Sequence, residues 1–366
     1  MNVAVFTDYR LMDPNSATGV GKHAYFMARG LAEDARFKVW SLAAKDQRNR
    51  RGLLDFLPQA SLPLSYRTSR ELWTWTGHPH ADRWLGDADW LYCPDRDWVP
   101  LRRVKYAVTL HGAHEIDPDF AMERGLKLRA IGIRNRRQYR RLSERADLIL
   151  TVSEWLKHFI IEQFGCDAQR ICVVGNGVSP EFFAPSVDES TRSNDAAPYI
   201  LCLGGLNFID GGDRILALAE CMKRAKSPWR IKVVGNQHEP SLLEQARRTG
   251  LIDLPGYIPH GRLAGLMRHA VAFYYPTRYE TFGMGAAEAL AAGVPIVTHR
   301  CTAVPEIVGE CGLYVEPDVP QTALDAIFSL CDGSALRSSL IERGRKRALQ
   351  FTWDSCAMRL KQALIS

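Results

Sequence analysis

The stretch PTRYETFGMGAAEALAAGVP, Pro276–Pro295, decides how the chain is read. It follows an apolar, β-rich run at Val271–Tyr275, turns, reads as a helix of small residues from Gly283 to Ala292, and meets a new strand at Pro295–Thr298. Strand, turn, helix and strand are the repeating unit of a parallel sheet covered by helices. Glu280 stands at the carboxyl end of the first strand, and Glu288 lies eight residues on, about two helical turns and near the same face. The amides of Thr281 to Met284 fall at the helix N-terminus, where roughly half a positive charge suits a phosphate. Gly283, Gly285 and Ala286 let a ligand approach the backbone. Two carboxylates beside an anion site suit a sugar nucleotide. In isolation, the same pair reads more readily as a surface glutamate and a first-turn glutamate on a packed Ala/Gly helix.

Outward from this stretch, the same alternation fills the chain. Strands are expected at Val3–Phe6, Phe37–Leu42, Trp90–Tyr92, Tyr106–Leu110, Leu148–Val152 and Ile171–Val174, with helices such as Gly21–Ala32 and Ser153–Phe164 between them. A polar segment, APSVDESTRSNDAAP (184–198), has proline near each end and reads as a linker. A second series follows at Tyr199–Leu203, Arg230–Val234, Val271–Tyr275, Pro295–Thr298 and Leu313–Val315. The expected organisation is an N-terminal acceptor-side domain over 1–184, a linker over 185–198, a donor domain over 199–350 and a C-terminal helix over 351–366 returning to the first domain. Two Rossmann-like α/β domains facing a central cleft are the expected fold.

Composition narrows the function. The 366 residues suffice for two domains. The 47 Lys+Arg against 41 Asp+Glu leave a net charge of +6, too mild for a tail-driven nucleic-acid binder, and no nucleic-acid partner is expected. Nine scattered cysteines without a CxxC pair argue for reduced thiols rather than a disulfide framework or a structural zinc site. The N-terminal run has too few apolar residues before Asp8 for a signal-peptide core, and no stretch approaches the ~20 apolar residues of a membrane span. A cytoplasmic protein, peripheral at the inner membrane face if it meets lipid, is the expectation.

The motifs converge on one family. Glu280-Thr281-Phe282-Gly283 through Glu288, then Ala292-Gly293-Val294-Pro295 and Val304-Pro305-Glu306-Ile307-Val308, closely resemble the retaining GT-B glycosyltransferases of family 4. Gly19-Val20-Gly21, Thr109-Leu110-His111, Val152-Ser153-Glu154, Gly175-Asn176-Gly177-Val178 and Gly256-Tyr257-Ile258-Pro259 match in order, so the similarity spans nearly the whole chain. The resemblance implies that Glu288 holds the donor ribose and Glu280 contacts the transferred sugar. It implies that the amides of Phe282, Gly283 and Met284 meet the diphosphate or sugar. Gly19 and Gly21 would form a glycine loop at the donor phosphates, His111 would lie near the sugar, and Tyr257 and Ile258 would lie beside the nucleobase. The implied reaction moves a hexose from a UDP- or GDP-type donor to a glycan or lipid-linked saccharide in cell-envelope or exopolysaccharide synthesis. It needs no metal and no other cofactor.

One departure stands out. The family places Gly-Arg after the second domain's first strand and Lys-Gly five residues on, two cations for the diphosphate. This chain has Gly204-Gly205 and Asp210-Gly211. Losing such a donor commonly costs ~3 kcal/mol of transition-state stabilisation. Three readings stay open: Arg214 or Arg278 substitutes, the donor is unusual (a polyprenyl-phosphate sugar), or activity is weak, as in a non-catalytic binding or assembly subunit.

Other strings carry less. Gly19-Val20-Gly21-Lys22-His23 lacks the first glycine and the Ser/Thr of a P-loop. Asp87-Ala88-Asp89, Asp95-Arg96-Asp97 and Asp117-Pro118-Asp119, and the pairs His78/His80 and His111/His114, lack a metal-ligand set. Residues 124–145 hold nine Lys/Arg against Glu144 alone, more than the whole chain's excess, at near-helical spacing. Arg134, Arg136, Arg137, Arg140 and Arg141 read either as a solvated helix face or as a patch for an anionic membrane or a pyrophosphate-linked acceptor. Trp73, Trp75 and Trp84 are read as its rim or as core.

Overall fold

The structure, a computed structural model, describes all residues except 13–17, 49, 123–125, 185–197, 237 and 332–334. Most of the expected linker, and Arg124 of the basic stretch, thus lie outside the described residues. In chain order the elements of the first half are β1 (Asn2–Val5), α1 (Gly19–Ala32), β2 (Lys38–Ala43), β3 (Gln59–Ser61), α2 (Tyr66–Thr76), β4 (Trp90–Cys93), β5 (Lys105–Leu110), α3 (Pro118–Met122), α4 (Leu126–Arg145), β6 (Leu148–Thr151), α5 (Glu154–Phe164) and β7 (Ile171–Val173). The second half holds α6 (Pro180–Phe183), β8 (Tyr199–Leu203), α7 (Gly212–Arg224), β9 (Arg230–Val234), α8 (Pro240–Thr249), β10 (Ile252–Gly256), α9 (His260–His269), β11 (Ala272–Tyr275) and α10 (Met284–Ala292). It ends with β12 (Ile296–Thr298), α11 (Val304–Val308), β13 (Gly312–Tyr314), α12 (Pro320–Ser329), α13 (Ala335–Ala348) and α14 (Trp353–Ile365).

The chain divides into two compact units, Met1–Gly177 with Trp353–Ser366, and Val178–Thr352. The second begins at Val178, earlier than residue 185, because α6 packs on α9 and α10. The first unit has a seven-stranded sheet in the order β3-β2-β1-β4-β5-β6-β7, and the second a six-stranded sheet in the order β10-β9-β8-β11-β12-β13. Every described strand pair is parallel. Each sheet reverses its strand order once, between β1 and β4 and between β8 and β11. Ligands of doubly wound sheets bind beyond the carboxyl ends of strands at such a point.

Two strands escape the periodicity. β3 is a three-residue edge strand, Gln59-Ala60-Ser61, with no apolar run to announce it. β10 reads Ile-Asp-Leu-Pro-Gly, and a proline argues against a strand anywhere but at an edge, which is where β10 lies. Six of the nine cysteines are buried, and all are free thiols.

α14 packs along α1 in the first unit. A Cβ added at Gly30 would lie 2.4 Å from the Ala357 Cβ, closer than two carbons can stand. Gly30→Ala gains up to ~1 kcal/mol in helix propensity but forces two helices apart, which typically costs ~1–3 kcal/mol. A lower melting temperature is expected in thermal unfolding, and an unchanged or higher one would mean that α14 is not held on α1.

Candidate functional site

In the second unit the switch point is built from two glycine-bearing strand ends. After β8 the backbone turns through Gly204 (φ 101°) and Gly205 (φ 128°), conformations that side chains resist. The bare Cα of Gly204 lets Asp210 fold back onto it: a Cβ there would stand 2.3 Å from Asp210 Oδ2. Asn207 Nδ2 donates to that carboxyl at 2.5 Å, and the Asp210 amide donates to Asn207 Oδ1 at 3.0 Å. After β11 the segment 276–279 is zipped onto the same loop, the Arg278 amide donating to the Ile209 carbonyl at 2.8 Å.

α10 starts from Gly283, whose φ of 100° carries no side-chain cap. Its small residues allow burial from every side. Gly285 lies against Leu203, Phe273 and Tyr275, and Ala286 to Ala292 are all buried among neighbouring helices. Phe282 packs edge-on against Phe351, so its side chain belongs to the core and only its backbone is available to a ligand.

The two glutamates lie on different partners. Glu280 belongs to the turn before α10, so helical spacing does not relate it to Glu288. It accepts a short hydrogen bond from the Tyr275 hydroxyl, and its amide donates to Thr302 Oγ1 at 2.8 Å. Burial pushes the Glu280 carboxyl up to about 7; the Tyr275 bond acts against this and the Asp210 carboxyl adds to it. Burial likewise raises Asp210. Among the described residues, neither carboxyl has a cation within ion-pair distance. Glu288 is only 4% exposed and lies 3.3 Å from His260 Nε2 at the start of α9. Beyond β10, Tyr257 is exposed and Ile258 half-buried.

The two arginines named as substitutes each face an acid. Arg278 grips Asp213 through two bonds of 2.6 and 2.7 Å and stacks on Phe208, 4.2 Å from the ring centre. Arg214 donates to the Pro276 carbonyl at 3.2 Å and lies 3.7 Å from Asp318.

In the first unit His111 follows β5 and lies near the end of β4. Its Nε2 is 2.8 Å from the Pro94 carbonyl. A carbonyl only accepts, so this nitrogen carries the proton, and burial lowers the ring's basicity and keeps it neutral. His23, a turn into α1, packs edge-on against His111 at 4.6 Å. Its Nδ1 meets Asn176 Oδ1 at 2.8 Å and its Nε2 meets the Tyr92 hydroxyl at 3.2 Å, itself 3.0 Å from Thr109 Oγ1. The ring is forced neutral by burial and then by His111. One direction satisfies the whole chain: Thr109 to Tyr92, Tyr92 to His23, His23 to Asn176. Sequence reasoning quoted Asn176 without a role and missed His23, Tyr92, Tyr275 and His260; only the Gly-Asn-Gly-Val match pointed toward this network. Gly19 and Gly21 are not a loop. They open α1, where Thr18 Oγ1 caps the Gly21 amide at 3.2 Å.

From Leu126 to Arg145 the basic stretch is helical as expected. Arg134, Arg137 and Arg140 are exposed. Arg136 is bonded to the Ile116 carbonyl at 3.0 Å and Gln163 at 2.7 Å, and Arg141 to the Thr74 carbonyl at 2.8 Å. Trp73 is core, 1% exposed and bonded to the Pro79 carbonyl, whereas Trp75 is 80% exposed and Trp84 half-buried. No described helix is long and apolar enough to cross a membrane.

Comparison with known proteins agrees with the fold. Residues 17–182 match the family described as Glycosyltransferase Family 4, and residues 185–347 match Glycosyl transferases group 1. The chain is 30% identical over 301 residues to the O-antigen chain mannosyltransferase B of Escherichia coli, covering 76% of this chain and 75% of that protein. It is 27% identical over 306 residues to a D-inositol 3-phosphate glycosyltransferase of Jonesia denitrificans, covering 77% and 70%. Its fold matches the sucrose-phosphate synthase of Thermosynechococcus elongatus with a TM-score of 0.75 at 19% identity, over 99% and 98% of the two chains.

Proposed function

Because this chain belongs to the glycosyltransferases of family 4, group 1, we propose that it moves a hexose from a nucleotide diphosphate sugar to a glycan or lipid-linked saccharide, with retention of anomeric configuration. The observation that carries this reading is the α10 entrance, an uncapped helix start at the switch point with Glu280 before it and Glu288 within it. In this reading Glu288 binds the ribose and Glu280 a sugar hydroxyl. The helix N-terminus stabilises the charge that gathers on the departing phosphate as the sugar becomes oxocarbenium-like. Tyr257 and Ile258 border the base; in the first unit, neutral His111 is the group assigned to contact a sugar hydroxyl. As the likeness to this family implies, attack comes from the face the phosphate leaves, the phosphate taking the acceptor's proton. No metal enters these steps.

The Escherichia coli relative is a mannosyltransferase acting on an O-antigen chain by its name, which favours a growing polysaccharide as acceptor here. The acceptor would be met at the cytoplasmic face of an anionic membrane. Asp210 favours a second reading, a donor with a single phosphate or a binding subunit, because it puts a carboxylate where a diphosphate would want a cation.

Donor hydrolysis followed by proton NMR tests retention. With an α-linked donor, the first hexose released should be the α anomer before mutarotation; initial release of β would exclude the retaining course.

A further inference from the structure

A groove of about 640 Å³ in the first unit lies away from the β5 end that carries His111. Lys105, which opens β5, lines it, and His111 follows the far end of that strand, roughly 20 Å away at ~3.3 Å per residue. Arg102, Arg103, Arg141 and Arg145 complete its cationic lining, and Trp75 stands at its edge. Asp82 arranges the loop before β5 by accepting the amides of Arg102, Arg103 and Val104 at 3.0, 2.8 and 3.1 Å. That contact spends the carboxylate on backbone and leaves the arginine side chains exposed. Among the described residues, none of the five cations has an ion-pair partner. Glu144 and Asp147 are the only acids in the lining, against five cations.

The α4 face leads into this groove. Arg134, Arg137, Arg141 and Arg145 recur at intervals of three and four, so they form one stripe whose last two members line the groove. Trp75 is the largest exposed apolar side chain beside it. A tryptophan beside uncompensated arginines is the composition of a surface that rests in the headgroup layer of an anionic leaflet.

We propose that this groove is the contact with an anionic lipid surface, its cations on lipid phosphates and Trp75 among the headgroups. The proposal deepens the membrane part of the functional reading and moves its centre from the middle of α4 to the groove. A soluble phosphate compound would offer the same phosphate chemistry but would give Trp75 nothing to enter.

Co-sedimentation with phosphatidylcholine vesicles, with and without 30% phosphatidylglycerol, tests this directly. The full chain should bind only the anionic vesicles. At ~1 kcal/mol per basic residue near such a surface, Arg103→Gln/Arg145→Gln should weaken partition about thirtyfold, with an unchanged melting temperature. Trp75→Ala should weaken it several-fold without changing its salt dependence. Equal binding to neutral vesicles would overturn the proposal. So would loss in Arg134→Gln/Arg137→Gln with none in the groove variant, a result that keeps the membrane reading and removes the groove. Failure of the wild type to bind overturns both. Release by inorganic pyrophosphate, where chloride of equal ionic strength does not release, would assign the groove to a soluble phosphate ligand instead.

Discussion

Asp210→Lys is expected to tighten the binding of a nucleoside diphosphate by tenfold or more and to raise the rate of transfer. Asp210 lies on Gly204 with, among the described residues, Asn207 alone bonded to its carboxyl, and its charge is felt by Glu280. A unit charge about 6 Å from a phosphate is worth about 3 kcal/mol at an effective dielectric of ~20. Reversing the charge therefore changes the interaction by more than one such step, and solvent screening leaves a tenfold effect as the lower bound. Asp210→Asn, which keeps the side-chain shape, should give part of the gain. Calorimetric titration with nucleoside diphosphate reads both. Weaker binding by both variants would mean that the carboxylate itself touches the donor.

Glu280→Gln is expected to stabilise the protein at alkaline pH while removing about two orders of magnitude in rate, the usual cost of losing a positioned polar group in the transition state. The Glu280 carboxyl titrates at about 7 in the fold and near 4.5 when free. The folded state therefore binds more protons between these values. The stability linked to that proton is complete below pH 4.5 and is lost as pH rises through 7. The difference between 4.5 and about 7, at ~1.36 kcal/mol per tenfold change in proton affinity, makes about 3 kcal/mol of destabilisation at pH 8. Glutamine carries no charge to bury and can still accept from Tyr275. The melting temperature of the variant should exceed the wild type's by several degrees at pH 8 and match it at pH 4.5. Equal melting temperatures at both would mean that Glu280 is ionised at no cost.

The same linkage applies to ligand binding. An anionic phosphate beside Glu280 favours its neutral form, so donor affinity should fall as pH rises from 6 to 8.

How far the residues announced this arrangement depends on the range of each contact. The α10 entrance was legible because its signals are local: a β-rich run, a turn, small residues and two glutamates at fixed places. The alternation of strands and helices was equally local, and it failed only where a strand was three residues long or contained Pro255. What the sequence could not display is contact made by topology. His23 and Asn176 are 153 residues apart, and they meet because the strand order carries α1 beside the ends of β4 and β5. Asp210 was recognised as the wrong charge for its place. That it folds onto Gly204, and that Arg214 and Arg278 are held on acids, follows from loop geometry that no spacing encodes. The reading of Glu280 and Glu288 as one helix face failed because the helix begins four residues after Glu280.

The central claim is that a nucleotide sugar binds at the start of α10 with Glu288 on its ribose. Calorimetric titration of UDP, GDP, UDP-glucose and GDP-mannose into the wild type and Glu288→Ala tests it most directly. Micromolar binding of one nucleotide and its sugar by the wild type, lost in the variant, is the predicted result. No binding of any of the four, or binding that survives in Glu288→Ala, would contradict it.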